Sequence, residues 1–240
     1  MKKKIFVVSD VHGHASILKS ALDSAGYEPE NENHLLISCG DYFDRGEENC
    51  EVLKFFERQK NAVLLRGNHE DLLLKLLESG KILPHHYING TFVTLENFFG
   101  KYFLDPVVNQ VNFAGHTRTV DRLCEFIEDT RDFFETENYI FVHGWLPSGA
   151  SSLSKIRAAS AAQWSNARWV KWTEKYDGTA PIEGKTLVCG HMPTFYAGKF
   201  DPTREKNSPD IFYGNGLIAI DGGTYDSGRV NVLVLEDNLL

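Results

Sequence analysis

The pattern that most restricts this chain is a repeated junction, in which a short aliphatic run gives way to a polar motif rich in Asp, His or Asn. Ile5 to Val8 leads into Ser9-Asp10-Val11-His12-Gly13, and Leu35 to Ile37 leads towards Gly40-Asp41-Tyr42-Phe43-Asp44-Arg45-Gly46. Ala62 to Leu65 leads into Gly67-Asn68-His69-Glu70, and Val142-His143-Gly144 and Gly190-His191 follow later. Uninterrupted runs of this kind read as strands buried on both faces. Strand ends are where α/β proteins assemble functional sites.

Helical patterns separate the first three runs. Ile17, Leu18, Ala21, Leu22 and Ala25 share one helical face that stops at Gly26, and Val52, Leu53 and Phe56 mark a second. Asp71 to Ser79 reads as a Leu-rich third helix ending near Gly80. The alternation predicts an α/β fold with a largely parallel sheet and right-handed crossovers.

From Lys81 to Glu137 the rhythm loosens. Aromatics gather at Phe92, Phe98, Phe99, Tyr102 and Phe103, and Val120, Leu123, Cys124 and Ile127 share a helical face. Residues 81–137 are expected to be a helical insertion beside the site, a partial lid within one domain spanning 1–240. Strand runs resume at Tyr139 to Val142, Thr186 to Cys189, Leu217 to Ile220 and Val230 to Leu235. The last two, joined through Asp221-Gly222-Gly223, are expected to share a second sheet. His85, His86 and His116 read as surface histidines, and Asp201 to Pro209 as a surface loop.

Composition narrows the setting. A hydrophobic share of 42% over 240 residues suffices for one large α/β core. The net charge of −8, with no basic run beyond Lys2-Lys3-Lys4, argues against a nucleic acid polymer as partner. No apolar stretch follows those lysines as a signal peptide would require, and none is long enough to span a bilayer. Cys39, Cys50, Cys124 and Cys189 form no C-x-x-C pair, so reduced thiols in the cytoplasm are expected.

The motifs carry chemistry. Asp10 and His12 are two apart, so at an extended strand end they point the same way and can grip one divalent metal. Asp41 has two oxygens and can bridge two metals; Asn68, His143 and His191 offer ligands for the second. Two divalent cations bring four positive charges, and Asp10, Asp41 and a bridging hydroxide return three. The net positive remainder suits a phosphate dianion. Two metals roughly 3.5–4 Å apart clamp attacking and leaving oxygens in an in-line displacement and supply hydroxide near neutral pH. The Arg45 fork matches two phosphate oxygens. His69 is placed to protonate the leaving oxygen, with Asp44 holding its tautomer. Taken singly, Asp10 could be a helix cap, Asn68 a turn residue, and His143 or His191 a core histidine. Taken together they point to metal-dependent phosphoester hydrolysis.

These motifs closely resemble the metallophosphoesterase superfamily and, within it, the phosphoprotein phosphatase branch. That branch is marked by G-D-x-H-G, G-D-x-x-D-R-G, G-N-H-E, H-G or H-A-G, and G-H. Ser9 replaces the first glycine, while Gly40 to Gly46 and Gly67 to Glu70 match in full. Similarity is greatest to bacterial members such as lambda-type protein phosphatases and symmetrical diadenosine tetraphosphatases. The resemblance implies a calcineurin-like fold of two mixed sheets packed face to face with flanking helices. It implies one metal on Asp10, His12 and Asp41, a second on Asp41, Asn68, His143 and His191, and His69 with Asp44 as the acid pair. Mn²⁺ is the metal expected from bacterial members, with Fe or Zn²⁺ as alternatives.

Members of the branch usually carry a second phosphate-binding arginine in a Trp-x-Arg context. Here the segment is Trp164-Ser165-Asn166-Ala167-Arg168-Trp169, which makes Arg168 the expected residue and Arg157 the reserve. A surface helix charge is the alternative for Arg168. Trp145, Trp169 and Trp172 could wall a leaving-group pocket or fill the core. Asp221 could support the ligands or serve only the turn. Cys39 to Arg45 has the C-x-x-x-x-x-R spacing of thiolate phosphatases, but Asp41 and Asp44 in that loop would repel a phosphate, so Cys39 reads as inert. Three functions follow: a phosphoserine/phosphothreonine protein phosphatase, a hydrolase of dinucleoside polyphosphates or other nucleotide phosphoesters, and a metal-bound scaffold without activity.

Overall fold

The computed structural model describes residues 2–105 and 108–240. The first half runs β1 (Lys2–Val8), α1 (Ala15–Ser24), β2 (His34–Ser38), α2 (Asn49–Glu57), β3 (Ala62–Leu64) and α3 (Asn68–Ser79). The looser middle holds α4 (Pro84–Ile88), α5 (Thr91–Phe99), the short strands β4 (Leu104–Asp105) and β5 (Gln110–Val111), and α6 (Thr117–Glu128). The second half runs β6 (Phe133–Glu135), β7 (Tyr139–Val142), α7 (Leu153–Arg157), α8 (Ala161–Ala167), α9 (Trp172–Lys175) and β8 (Thr186–Cys189). A 3-10 helix (Thr194–Lys199), β9 (Phe212–Gly214), β10 (Leu217–Ala219), α10 (Thr224–Ser227) and β11 (Leu233–Asn238) complete it.

Two mixed sheets form, in the orders β11-β1-β2-β3 and β6-β7-β8-β10-β9. β1, β2 and β3 are parallel, as are β7, β8 and β10, while β11, β6 and β9 run antiparallel to their neighbours. The strands alternate between two apolar faces. Ile5, Val7, Leu35 and Ile37 meet Phe141, Val188 and Ile218 between the sheets. Phe6 and Val8 point instead to a core with Leu18, Val52, Phe56, Leu73 and Leu95. Ile140, Val142, Leu187 and Leu217 point to one with Trp164 and Trp172. With apolar layers on both faces, the strands read as unbroken aliphatic runs, and helices cover the outside.

Three expectations are corrected. The Val230 run does not join the second sheet: β11 crosses back and pairs antiparallel with β1, Lys2 opposite Asn238. Alternation along a strand fixes which faces it buries but not which strand it pairs with. α3 begins at Asn68, three residues before the expected start, because Glu70 Oε2 accepts the Gly67 N–H at 2.9 Å and caps the first turn. His86 is buried, not on the surface; Pro84 starts the short helix α4, and its turn carries His86 inward.

The middle segment shares the first core. Phe99, Phe103, Val111, Leu123, Phe126 and Ile127 are buried against residues of β1, α1 and α2. No helix among the described residues is long and apolar enough to cross a membrane.

Candidate metal and phosphate site

The motifs converge where the two sheets meet. The loops after β1 and β2 are laced together: Asp10 N–H donates to Gly40 O at 3.0 Å, His12 N–H to Asp41 O at 3.1 Å, and Gly13 N–H to Tyr42 O at 2.8 Å. Glu70 draws α3 to the same point, its carboxylate accepting the N–H groups of Asp41 and Tyr42, each at 2.9 Å. Backbones approach so closely that a Cβ at Gly67 would strike the Asp41 carboxylate, and one at Gly190 the Ser9 hydroxyl and the Asp10 carboxylate. Asp10, His12, Asp41, Asp44, Arg45 and His191 all take left-handed φ values, between 46° and 73°. Among the described non-glycine residues only Asn109 and Asn207 do likewise. Such conformations cost about 1–3 kcal/mol each and collect at functional sites.

Asp41 is the hub. Its Oδ1 lies 3.4 Å from His143 Nε2, and its Oδ2 lies 3.7 Å from His12 Nε2 and 3.9 Å from His69 Nε2. Each histidine is fixed through one ring nitrogen: His12 Nδ1 on Phe43 O at 2.9 Å, His143 Nδ1 on Cys39 O at 2.8 Å, and His191 Nε2 on Trp169 O at 3.2 Å. His143 Nε2 in turn faces Asn68 Oδ1 at 2.8 Å, with Asp41 Oδ1 beside it. Two oxygens and an imidazole nitrogen gathered in this way are atoms of the kinds that bind a divalent cation.

The electrostatics carry the same signature. Burial pushes the Asp10 carboxyl well up, reinforced by Asp221, and pushes Asp221 up to about 7. Burial works against the Asp41 carboxylate too, but His143, His69, His12 and His191 overcome it and hold the group well below the usual carboxylate range. Burial drives His12 down, with His69 and Arg45 adding to it, and lowers His191 to about 3. Buried carboxylates and imidazoles side by side are the donor set of a divalent cation.

Two groups of ligand atoms, each within 4.8 Å of one another, share Asp41: His12, Asp41 and His69, and Asp41, His143 and His191. The second holds Asp41, His143 and His191 of the expected four, and Asn68 touches it through His143. The first contains His69 where the sequence indicated Asp10. Asp10 Oδ2 instead accepts from the Ser9 hydroxyl and, at 3.0 Å, from the His191 N–H. His69 Nδ1 donates to Asp44 Oδ2 at 2.7 Å. Burial opposes the charged imidazole, but Asp41 and Asp44 outweigh it and raise His69 to about 9. Arg45 is half-buried and pairs with no acceptor through its guanidinium among the described residues, while its charge is felt at His12, His69 and Asp221.

A profile of calcineurin-like phosphoesterases matches residues 3–220. The chain belongs to that family. Over 239 residues it is 27% identical to a serine/threonine-protein phosphatase 2 from Salmonella typhimurium, covering 98% of this chain and 94% of the relative. It is 38% identical over 168 residues to the Escherichia coli protein of that name, with 68% and 67% covered. A bis(5'-nucleosyl)-tetraphosphatase of the asymmetrical kind, from Oceanobacillus iheyensis, is 29% identical over 97 residues, which cover 37% of this chain and 39% of that one. The crystal structure of a protein described as a diadenosine tetraphosphatase by assignment superposes with a TM-score of 0.54 at 15% identity, covering 99% of this chain and 94% of the other, a likeness of fold. These relatives place the chain in the phosphoprotein phosphatase branch and make it a phosphoester hydrolase.

Within this calcineurin-like frame, Arg168 does not stand free beside Arg45. Its guanidinium donates to both oxygens of Asp71, at 2.8 and 3.0 Å, and to Asp132 at 2.6 Å. That buried clamp ties the end of α8 to α3, next to the Trp169 carbonyl that holds His191. Arg168→Ala is expected to lower unfolding free energy in urea by about 1–3 kcal/mol, since buried Asp71 loses its bidentate partner but keeps the Ser165 hydroxyl and Arg66, and Asp132 stays open to solvent. Normal stability with a raised KM would instead return Arg168 to phosphate binding. Arg157 sits on the surface, paired with Glu135 at 2.7 Å. Of the tryptophans, Trp172 is core, Trp169 is 46% exposed with its ring nearly perpendicular to that of His191, and Trp145 lines a cavity of about 450 Å³ with Pro147, Val170, Lys175, Tyr176 and Pro181. Cys39 is fully buried, and burial raises its thiol far above the ordinary value, so it supplies no thiolate. Two further residues, Thr91 and Thr94, escaped the sequence reading; both hydroxyls donate to Asp44.

Proposed function

We propose that this chain is a dinuclear metal-dependent phosphomonoesterase acting on phosphoserine and phosphothreonine in proteins. The observation that supports it most is the sharing of Asp41 between two groups of ligand atoms, near the Arg45 guanidinium, unpaired among the described residues, and the hydrogen-bonded His69–Asp44 pair. Asp10, His12 and Asp41 would hold one divalent ion, and Asp41, Asn68, His143 and His191 the other, with Mn²⁺ the first choice and Fe or Zn²⁺ next. Bound there, the ions would supply an activated water at neutral pH and offset charge on the phosphoryl oxygens.

The chain's own residues do the rest. Arg45 forks onto two non-bridging phosphoryl oxygens. His69 is tethered through Nδ1, so its Nε2 carries the proton passed to the leaving oxygen. The dry surroundings of Asp44 keep that tautomer fixed. Arg168 acts by holding Asp71 and the Trp169 turn. Substrate choice would lie with residues 81–137, whose Gly90 carbonyl accepts the Arg45 backbone N–H at 3.3 Å. Its phosphatase relatives, matched along 94% and 67% of their lengths, favour a protein substrate. The second reading, hydrolysis of dinucleoside polyphosphates, rests on the tetraphosphatase relative, matched over a shorter stretch.

A paired assay separates them. Metal-stripped protein reloaded with Mn²⁺ would be given a phosphothreonine peptide and diadenosine tetraphosphate, with Asp41→Asn as background. A higher kcat/KM on the peptide is expected. Faster dinucleotide turnover would replace this reading with the second.

A further inference from the structure

Asp44 is held by more than His69. Oδ2 accepts the Thr91 hydroxyl at 3.0 Å alongside His69 Nδ1, and Oδ1 accepts the Thr94 hydroxyl at 2.8 Å. Thr94 Oγ1 accepts the Asp44 N–H in return, at 2.9 Å, closing a ring that includes the residue's own backbone. Asn49 Oδ1 takes the same N–H at 3.1 Å. Both threonines are fully buried, so no water competes for these bonds.

The placement follows from α5. Thr91 and Thr94 are three apart in its first turn and therefore share a face. A threonine deeper in a helix commonly bonds back to a carbonyl of its own helix. These two turn outward across the interface to a carboxylate on another loop. Asp44 needs the support, since its φ of 73° is left-handed and no glycine relieves it.

We propose that Thr91 and Thr94 are positioning residues for the Asp44–His69 pair, locking the carboxylate so that His69 presents Nε2 to the leaving group. The claim rests on the reading of His69 as proton donor. It gives the segment 81–137 a part in turnover: α5 carries the supports of the acid, so a substrate that displaces α5 changes the rate of proton delivery.

The test is a double-mutant cycle on the Mn²⁺-loaded full chain, with phenyl phosphate as poor and p-nitrophenyl phosphate as good leaving group. Thr94→Val is expected to lower kcat on phenyl phosphate about tenfold, the effect of one hydrogen bond to a charged group. KM and the rate on p-nitrophenyl phosphate should change far less. Thr94→Ser should restore the rate to within about twofold by replacing the hydroxyl. In a His69→Asn background, Thr94→Val should cost nothing further. A second tenfold loss there, or no loss in the single variant, overturns the proposal. If Thr94→Val does not fold, Thr91→Val carries the same cycle with the same outcomes. If His69→Asn slows both phosphates equally, the proton-donor reading fails, and the coupling between Thr94 and His69 still decides whether the threonines position the pair.

Discussion

Asp41→Asn is expected to lose bound metal and turnover together. The variant should retain fewer than two metal equivalents per chain by elemental analysis. Its kcat should fall by on the order of 10²–10³-fold, the scale of removing one charged stabiliser from a reacting site. Four imidazoles face this one carboxylate, and both groups of ligand atoms depend on it. An amide keeps the shape but gives up the charge, and its nitrogen end presents donors to atoms that need an acceptor. The Asp41 charge also supports the protonated His69, together with Asp44, so the acid weakens with the ligand. A variant with two metals and an undiminished rate would remove Asp41 from the bridging role.

His69→Asn is expected to divide substrates by their leaving groups. Loss of a positioned proton donor costs typically 10²–10⁴-fold, and only where the departing oxygen needs the proton. Turnover of phenyl phosphate or a phosphothreonine peptide should fall by about that factor, while p-nitrophenyl phosphate should lose much less. Metal content should stay near two, because Asp41 still bridges. That measurement carries its own decision, since the structure places His69 among the ligand atoms of one group. A drop in bound metal, with equal losses on all phosphates, would make His69 a ligand and leave Asp44 to orient it.

Much of this site was legible because its chemistry sits in short motifs at strand ends. Thr186 to Cys189 and Tyr139 to Val142 were bounded correctly from aliphatic runs alone, and the histidines that follow them lie where a parallel strand must deliver them. Contacts made by distant segments were not legible. Arg168 was a cation near the right stretch of chain, and nothing local announced that Asp71 and Asp132 would enclose it. Thr91 and Thr94 left only a faint mark, two hydroxyls at helical spacing in a segment without motifs. Asp221 could be read either as turn or as support; the fold buries it within electrostatic reach of Asp10 and Asp41. The Val230 run showed the right character for a strand, yet its partner lies more than two hundred residues away.

That last pairing has a consequence for how the molecule comes into being. β1 is a central strand of its sheet, flanked by β2 on one side and β11 on the other. As the chain emerges from a ribosome, β1 and β2 appear close together, but the residues of β11 follow β1 by more than two hundred positions. Throughout that interval one edge of β1 offers its amides and carbonyls to any passing strand. Closing so long a loop is slow, and an open aliphatic edge invites association between nascent chains. Lys2, Lys3 and Lys4, the one basic run of the sequence, occupy that waiting edge, and like charges there would discourage two unfinished copies from pairing.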